Sequence, residues 1–385
     1  MMQTAAILWH VSLLVPADRK ALALGLVGLT RVAPILIFSI AAGVVADALD
    51  RRKLMIITQS AMAVLAAWLA LLTFRGLSTV WPLYLLAALS SAASSFDGPA
   101  RQALVPNLVP REHLPNAISL NTIVMQTASV AGPSLGGFII AQSSVGWVYV
   151  FNAISFLFVL AALVMMQSVN AKPGHKEAGT VSLHSMLEGL RFVFSAPLIR
   201  STMLLDFFAT FFSSATALLP IFAQDVLGVG AGGYGWLYAA PAAGAVVMSG
   251  ILVHRVSRIE RRGMVILWAV FGYGLATVVF GISRSFWLTF ACLAMTGAAD
   301  TVSMVFRNIV RQMETPDHLR GRMTGVNMVF FMGGPQLGEF EAGLVANWIG
   351  APLSVITGGL GCVVATAIVA AKTPALRAYR QHSTY

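Results

Sequence analysis

The sequence predicts an all-α membrane protein built as two six-helix bundles, on three observations. Hydrophobic residues make up 57% of the 385 residues and charged residues only 10%. A soluble globular domain carries about 25% charged residues, so lipid has to act as solvent for much of this surface. Apolar runs long enough to span a bilayer recur along the whole chain. The chain also repeats itself near its midpoint: Gly25, Gly28, Pro34, Gly43 and Arg51 stand 207 positions before Gly232, Gly235, Pro241, Gly250 and Arg258. Further on, Gly132-Pro133-Ser134-Leu135-Gly136 returns as Gly334-Pro335-Gln336-Leu337-Gly338. Duplicated apolar halves are the architecture of a secondary transporter whose site lies between them.

In order, the expected spans are 1–15, 21–46, 54–74, 80–99, 117–141, 147–168, 199–223, 232–253, 263–282, 286–306, 323–346 and 351–371. Short polar breaks separate them, such as Arg19-Lys20, Arg51-Arg52-Lys53 and Arg75. The first span is short. Its first 14 residues reach about 21 Å at ~1.5 Å per residue, against a hydrocarbon core of ~30 Å. By the repeat offset this helix is truncated: either the true start lies upstream or the helix is shortened. The one long polar connection, 170–197, reads as a cytoplasmic linker between an N-terminal bundle, 1–169, and a C-terminal bundle, 198–373, with a cytoplasmic tail at 374–385.

Charge placement orients the chain. With the linker inside, 20 of the 25 Lys and Arg residues fall in cytoplasmic segments, Arg307, Arg311, Arg320 and Arg322 among them. That bias predicts an even number of spans and a cytoplasmic C-terminus. The net charge of +10 is then a topology signal rather than a nucleic-acid footprint, since no basic run is interleaved with aromatics. Cys292 and Cys362 lie in apolar runs and suggest neither disulfide nor metal site. No cleavable signal peptide is expected, for want of a basic n-region and a clear cleavage site. The absence of G-x-x-x-x-G-K-[ST], H-E-x-x-H and G-x-S-x-G motifs argues against an ATPase or a membrane enzyme, and no cofactor is expected.

Gly43-Val44-Val45-Ala46-Asp47-Ala48-Leu49-Asp50-Arg51-Arg52-Lys53 closes the second span. Gly43 permits close helix approach. Asp47 either pairs with Arg51 or caps a neighbouring helix, or it is simply a solvated loop residue. The stretch resembles the loop between helices two and three of the major facilitator superfamily, G-x-x-x-D-R-x-G-R-[RK]. Gly43, Asp47, Arg51 and Arg52 match; Ala48 and Asp50 replace the pattern's first Arg and second Gly, and His254 takes the place of Asp47 in the second copy.

Phe96-Asp97-Gly98-Pro99-Ala100-Arg101-Gln102-Ala103-Leu104-Val105-Pro106, Leu114-Pro115-Asn116-Ala117 and Leu337-Gly338-Glu339-Phe340-Glu341-Ala342-Gly343 resemble the branch of enterobactin-exporter-like and macrolide-efflux-like proteins. Gly132-Pro133-Ser134-Leu135-Gly136-Gly137 is similar to the G-P-x-x-G-G core of the motif associated with antiporters, although Ala128 stands where that longer pattern has a glycine. Pro133 permits a bend and the glycines let a neighbour approach, whether for alternating access or for plain packing.

The resemblance implies a twelve-helix major facilitator fold in a bacterial inner membrane. It also implies a monomeric, proton-coupled exporter of a small amphipathic molecule, a siderophore or a drug. An importer of the same fold and an inactive truncated transporter are the alternatives. Ionisable residues inside spans face a cavity or a partner. The proton-coupling candidates are Glu339, Glu341, Asp206 and Asp300. Arg31 is the substrate-cavity candidate, and Gly43, Asp47, Arg51, Arg52, Asp97 and Arg101 form the inner-gate candidate. Asp97 and Arg101, four apart, can pair on one helix face. Glu339 and Glu341, about 200° apart on a helix, point to different sides.

Overall fold

The computed structural model describes residues 1–110, 113–166, 190–316 and 319–380. Among them there are helices and no strands: α1 (Met2–Leu14), α2 (Ala17–Ala48), α3 (Arg51–Phe74), α4 (Trp81–Leu108), α5 (Leu114–Gln142), α6 (Val145–Met165), α7 (Pro197–Phe212), α8 (Gly230–Arg255), α9 (Arg262–Ile282), α10 (Phe286–Glu314), α11 (Arg320–Ile349), α12 (Ala351–Lys372) and a short α13 (Pro374–Ala378). Nine spans among the described residues are long and apolar enough to cross a membrane, and α1, with 13 residues, is shorter. The seventh span is broken. After α7 the chain passes through a tight helical segment, Ala215–Leu218, and a widened one, Phe222–Val226, before it leaves the apolar region.

Local chemistry sets the boundaries. Asp50 caps α3 by accepting from the backbone N–H groups of Arg52 (2.9 Å) and Lys53 (3.2 Å). This residue departs from the family loop pattern, and here it satisfies two orphan donors at a helix start. Proline stands in the first turn of α4, α7 and α12, where its missing N–H is harmless. Gly350, with φ +87°, lets α11 reverse directly into α12.

Large apolar side chains point outward, Phe158 at 73% exposure and Trp287 at 75%, as lipid-facing residues must. The interior combines large apolar side chains such as Phe280 and Phe306 with hydroxyls that donate to carbonyls of their own helix, such as Thr202 to Ile199 and Thr366 to Cys362.

The chain forms two compact units: Met1–Val15 with Leu29–Ser182, and Pro16–Gly28 with Leu183–Tyr385. In the first, α3 packs on α4 and α6, and α1 on α5. In the second, α10 packs on α8 and α9, α9 on α12, and α11 on α7. The sequence reading drew its boundary at 169–170. The structure gives the second unit one more segment, 16–28, for a clear reason. A Cβ on Gly25 would fall 2.9 Å from the Gly343 Cα, and one on Gly28 would fall 2.6 Å from the Gln336 carbonyl oxygen. The first half of α2 can therefore lie backbone to backbone on α11. Near its start Lys20 is 3.1 Å from an Asp225 carboxylate oxygen.

Candidate functional site

Two buried charge clusters stand out, one in each unit. In the first, Asp97 is 6% exposed. Its Oδ2 accepts from Arg101 Nη2 at 2.9 Å, the i,i+4 pair that the spacing predicts. Its Oδ1 accepts from Gln59 Nε2 at 2.8 Å and from the Thr58 hydroxyl at 3.1 Å, both on α3. The carboxylate thus ties α4 to α3. Beside it, Arg52 Nε donates to the Leu163 carbonyl at 2.6 Å and Nη2 to the Val164 carbonyl at 2.8 Å. A cation on the last carbonyls of α6 satisfies orphan acceptors and complements the helix dipole. Gly43 and Asp47 lie in α2, but their side-chain surroundings fall outside the described residues, so the proposed contact of Asp47 with Arg51 falls there too.

The second cluster is more deeply buried. Asp206 on α7 is 3% exposed, and the partners it meets are Arg307 and Arg311 of α10, 1% and 3% exposed. Arg307 Nη2 is 2.8 Å from Asp206 Oδ1, and Arg311 Nη2 is 3.4 Å from Asp206 Oδ2. The same Arg307 Nη2 lies 3.5 Å from Asp300 Oδ1 on its own helix. Arg311 also donates to the Thr202 hydroxyl and carbonyl, each at 3.3 Å, and to Asn327 of α11. Two cations and two carboxylates balance. That balance is what allows so much charge to leave water, since an unpaired buried ion costs several kcal/mol.

Charge counting had assigned Arg307 and Arg311 to a cytoplasmic segment. The structure places both on α10, which runs on to Glu314. The signal was present in the sequence, for Asp300, Arg307 and Arg311 stand at i, i+7 and i+11 on one helix face. Asp206 is held inside the second unit by those two arginines.

The remaining candidates separate. Glu339 is 6% exposed, and its Cβ lies 2.8 Å from where a Cβ on Gly28 would be; Glu341 is half-buried, so the pair does face two environments. Arg31 is half-buried on α2. Gly132 and Gly136 face Met1 and Met2 of α1, with Pro133 and Gly137 buried beside them. His10 is buried with Nδ1 3.3 Å from the Tyr149 hydroxyl.

The sequence pattern of the family described as "Transmembrane secretion effector" matches residues 1–384. The chain belongs to that family. It is a multi-pass membrane transporter of the major facilitator superfamily, in the enterobactin-exporter-like branch, and not an enzyme. The enterobactin exporter EntS of Escherichia coli O1:K1 / APEC is 28% identical over 342 residues, covering 88% of this chain and 80% of that one. Two solved structures share the fold. A bacterial homologue of the human lysosomal transporter Spinster, in an inward-facing and unoccupied conformation, has a TM-score of 0.73 at 14% identity, over 100% of this chain and 97% of that one. A bacterial homologue of the iron transporter ferroportin, in an inward-facing state, has a TM-score of 0.70 at 14% identity, over 96% and 95%.

Proposed function

We propose that this transporter is a proton-driven exporter of a small amphipathic molecule, a siderophore or a drug, in a bacterial inner membrane. The observation that carries the direction of transport is the 28% identity, across 88% of the chain, to a protein named an enterobactin exporter. In this reading two six-helix halves, 1–169 and 198–373, alternate access to a site near the membrane midplane and are joined by the linker 170–197. The chain works as a monomer, with its tail at 374–385 in the cytoplasm.

The roles follow from the chemistry. Arg101, Asp97 and Arg52, with Gly43, Asp47 and Arg51, form the inner gate. Charge-assisted hydrogen bonds between helices hold one state and must break for the other. Gly132, Pro133, Gly136 and Gly137 give α5 the bend and close contact that a moving helix needs. Arg31 meets the substrate. Among Asp206, Asp300, Glu339 and Glu341, at least one carboxylate takes up the coupling proton. A proton shifts the balance between two states only by binding one of them better, and a buried carboxylate with a changing partner does that.

Everted membrane vesicles from cells overproducing the chain test this, with enterobactin and, separately, ethidium as probes. Accumulation of either probe that needs an acid-inside gradient and stops with a protonophore is the expected result. Accumulation that persists when the gradient is collapsed overturns the coupling. Gradient-driven uptake confined to right-side-out vesicles overturns the direction.

A further inference from the structure

The second unit contains a cavity of about 120 Å³ whose wall mixes apolar residues with the hydroxyl-bearing Ser213, Thr216, Tyr273, Thr277 and Thr296, and with Asp300 as its carboxylate. Asp300 and Asp206 are unequal partners of Arg307. Asp206 is 5% exposed at its side chain and held by two guanidinium groups; Asp300 is 42% exposed and held by one contact, at 3.5 Å. One nitrogen of Arg307, Nη2, serves both carboxylates. Its Nε and Nη1 are buried with no hydrogen-bond partner among the described residues. A guanidinium has donors enough to grip one carboxylate with two parallel bonds, and a geometry that divides it between two carboxylates leaves that grip incomplete.

We propose that Asp300 is the protonation site of the second half, reached through this cavity, and that Arg307 reports its charge by moving between Asp300 and Asp206. A hydronium ion in the cavity gives its proton to an Asp300 Oδ and is left as water. The new O–H bond removes the negative charge that draws Arg307 along α10, so the guanidinium closes on Asp206 and tightens α10 on α7. Loss of the proton restores the shared arrangement and loosens that tie. The titratable groups facing Asp300 are Arg307 on its own helix, Asp206 on α7 and Tyr273 on α9, with Arg311 beyond Asp206 and Cys362 of α12 beside Tyr273. From α8 the cavity meets only Pro241. Glu339 and Glu341 take no part in this step. Because α7 also carries Thr210 and Phe211, which lie against Gly334 and Gly338 of α11, a change in the α7–α10 tie is felt at α11.

This inference names the coupling residue of the proton-driven reading and rests on it, but the experiment needs neither substrate nor gradient. Infrared difference spectra of the purified protein are recorded as the pH is lowered. The expected result is a protonated-carboxyl band that shifts when aspartate is isotope-labelled at its side-chain carboxyl carbon, disappears in Asp300→Asn, and remains in Glu339→Gln and Glu341→Gln. The labelling is done on the unmutated protein, so it stands even where Asp300→Asn folds poorly. Asp300→Glu retains a band at a displaced frequency. Amide protection of residues 202–210, taken relative to the intrinsic exchange rate at each pH, rises on acidification in the unmutated protein and is already high in Asp300→Asn. A titrating band that survives Asp300→Asn, one that ignores aspartate labelling, or no band at all overturns the proposal and leaves the export reading standing. Protection at 202–210 that does not change with pH overturns the hand-over by Arg307.

Discussion

The two copies of the Gly-Pro-x-x-Gly stretch make the same contact with different chemistry around it. On α5, Gly132 and Gly136 lie against Met1 and Met2 at the start of α1; on α11, Gly334 and Gly338 lie against Thr210 and Phe211 of α7 and Ser214 just beyond it. The geometry repeats, fifth helix on first and eleventh on seventh. The ionisable groups do not repeat. The residue after the last glycine is Gly137 in the first copy and Glu339 in the second. Arg101 pairs along its own helix, while Arg307, at nearly the repeat spacing from it, reaches across to α7. Backbone approach is needed in both halves to build the same bundle, so its glycines recur. Charge at depth is expensive, and the more deeply buried cluster lies in the second half.

Substitutions made in pairs, one in each half, sharpen or break this comparison. Asp206→Asn leaves two guanidinium groups without their shared carboxylate and is expected to lose about 3–5 kcal/mol. Asp97→Asn leaves only the half-exposed Arg101 and is expected to lose about 1 kcal/mol. Thermal unfolding in detergent reads both, and equal losses would show that the clusters do not differ in kind. Gly338→Ala drives a methyl group into the Phe211 carbonyl, a backbone atom, and should lose about 1–3 kcal/mol. Gly136→Ala is crowded mainly by the flexible Met2 side chain, with Cγ at 3.0 Å, and should lose about 1 kcal/mol or less in the same assay. Arg52→Ala removes two bonds to the α6 end and should lose about 1.5 kcal/mol, largely recovered in Arg52→Lys if charge at the helix end is what counts. No recovery would assign the effect to the fork of the guanidinium.

Much of the fold was legible because lipid makes simple demands. Spans must be apolar and about the same length, so composition and the recurring Gly-Pro landmarks were enough to place all twelve. The ends were harder. The fourth and tenth spans were expected to close near residues 99 and 306, yet α4 runs to Leu108 and α10 to Glu314. Polar residues there stop the hydropathy signal without stopping the helix, because a helix satisfies its own backbone wherever it lies. That is why Arg307 and Arg311, beyond the expected end of the tenth span, still lie on α10.

The i,i+4 pair of Asp97 and Arg101 could be read because both partners lie on one helix. The grip of Arg307 on Asp206 joins positions about 100 apart, and no local spacing reveals it. The break in the seventh span after Phe212 had no sequence signal as plain as the inner prolines Pro34, Pro133, Pro241 and Pro335, all of which stay within continuous helices.

The central claim is that coupling chemistry belongs to the second half while the first half supplies a gate. The vesicle assay described above tests it most directly, run on Asp300→Asn and Asp97→Asn side by side, with and without a proton gradient. The account predicts that Asp300→Asn loses gradient-driven accumulation but still exchanges probe across the membrane without a gradient, whereas Asp97→Asn is slower yet still driven. Driven accumulation in Asp300→Asn together with its loss in Asp97→Asn would contradict it.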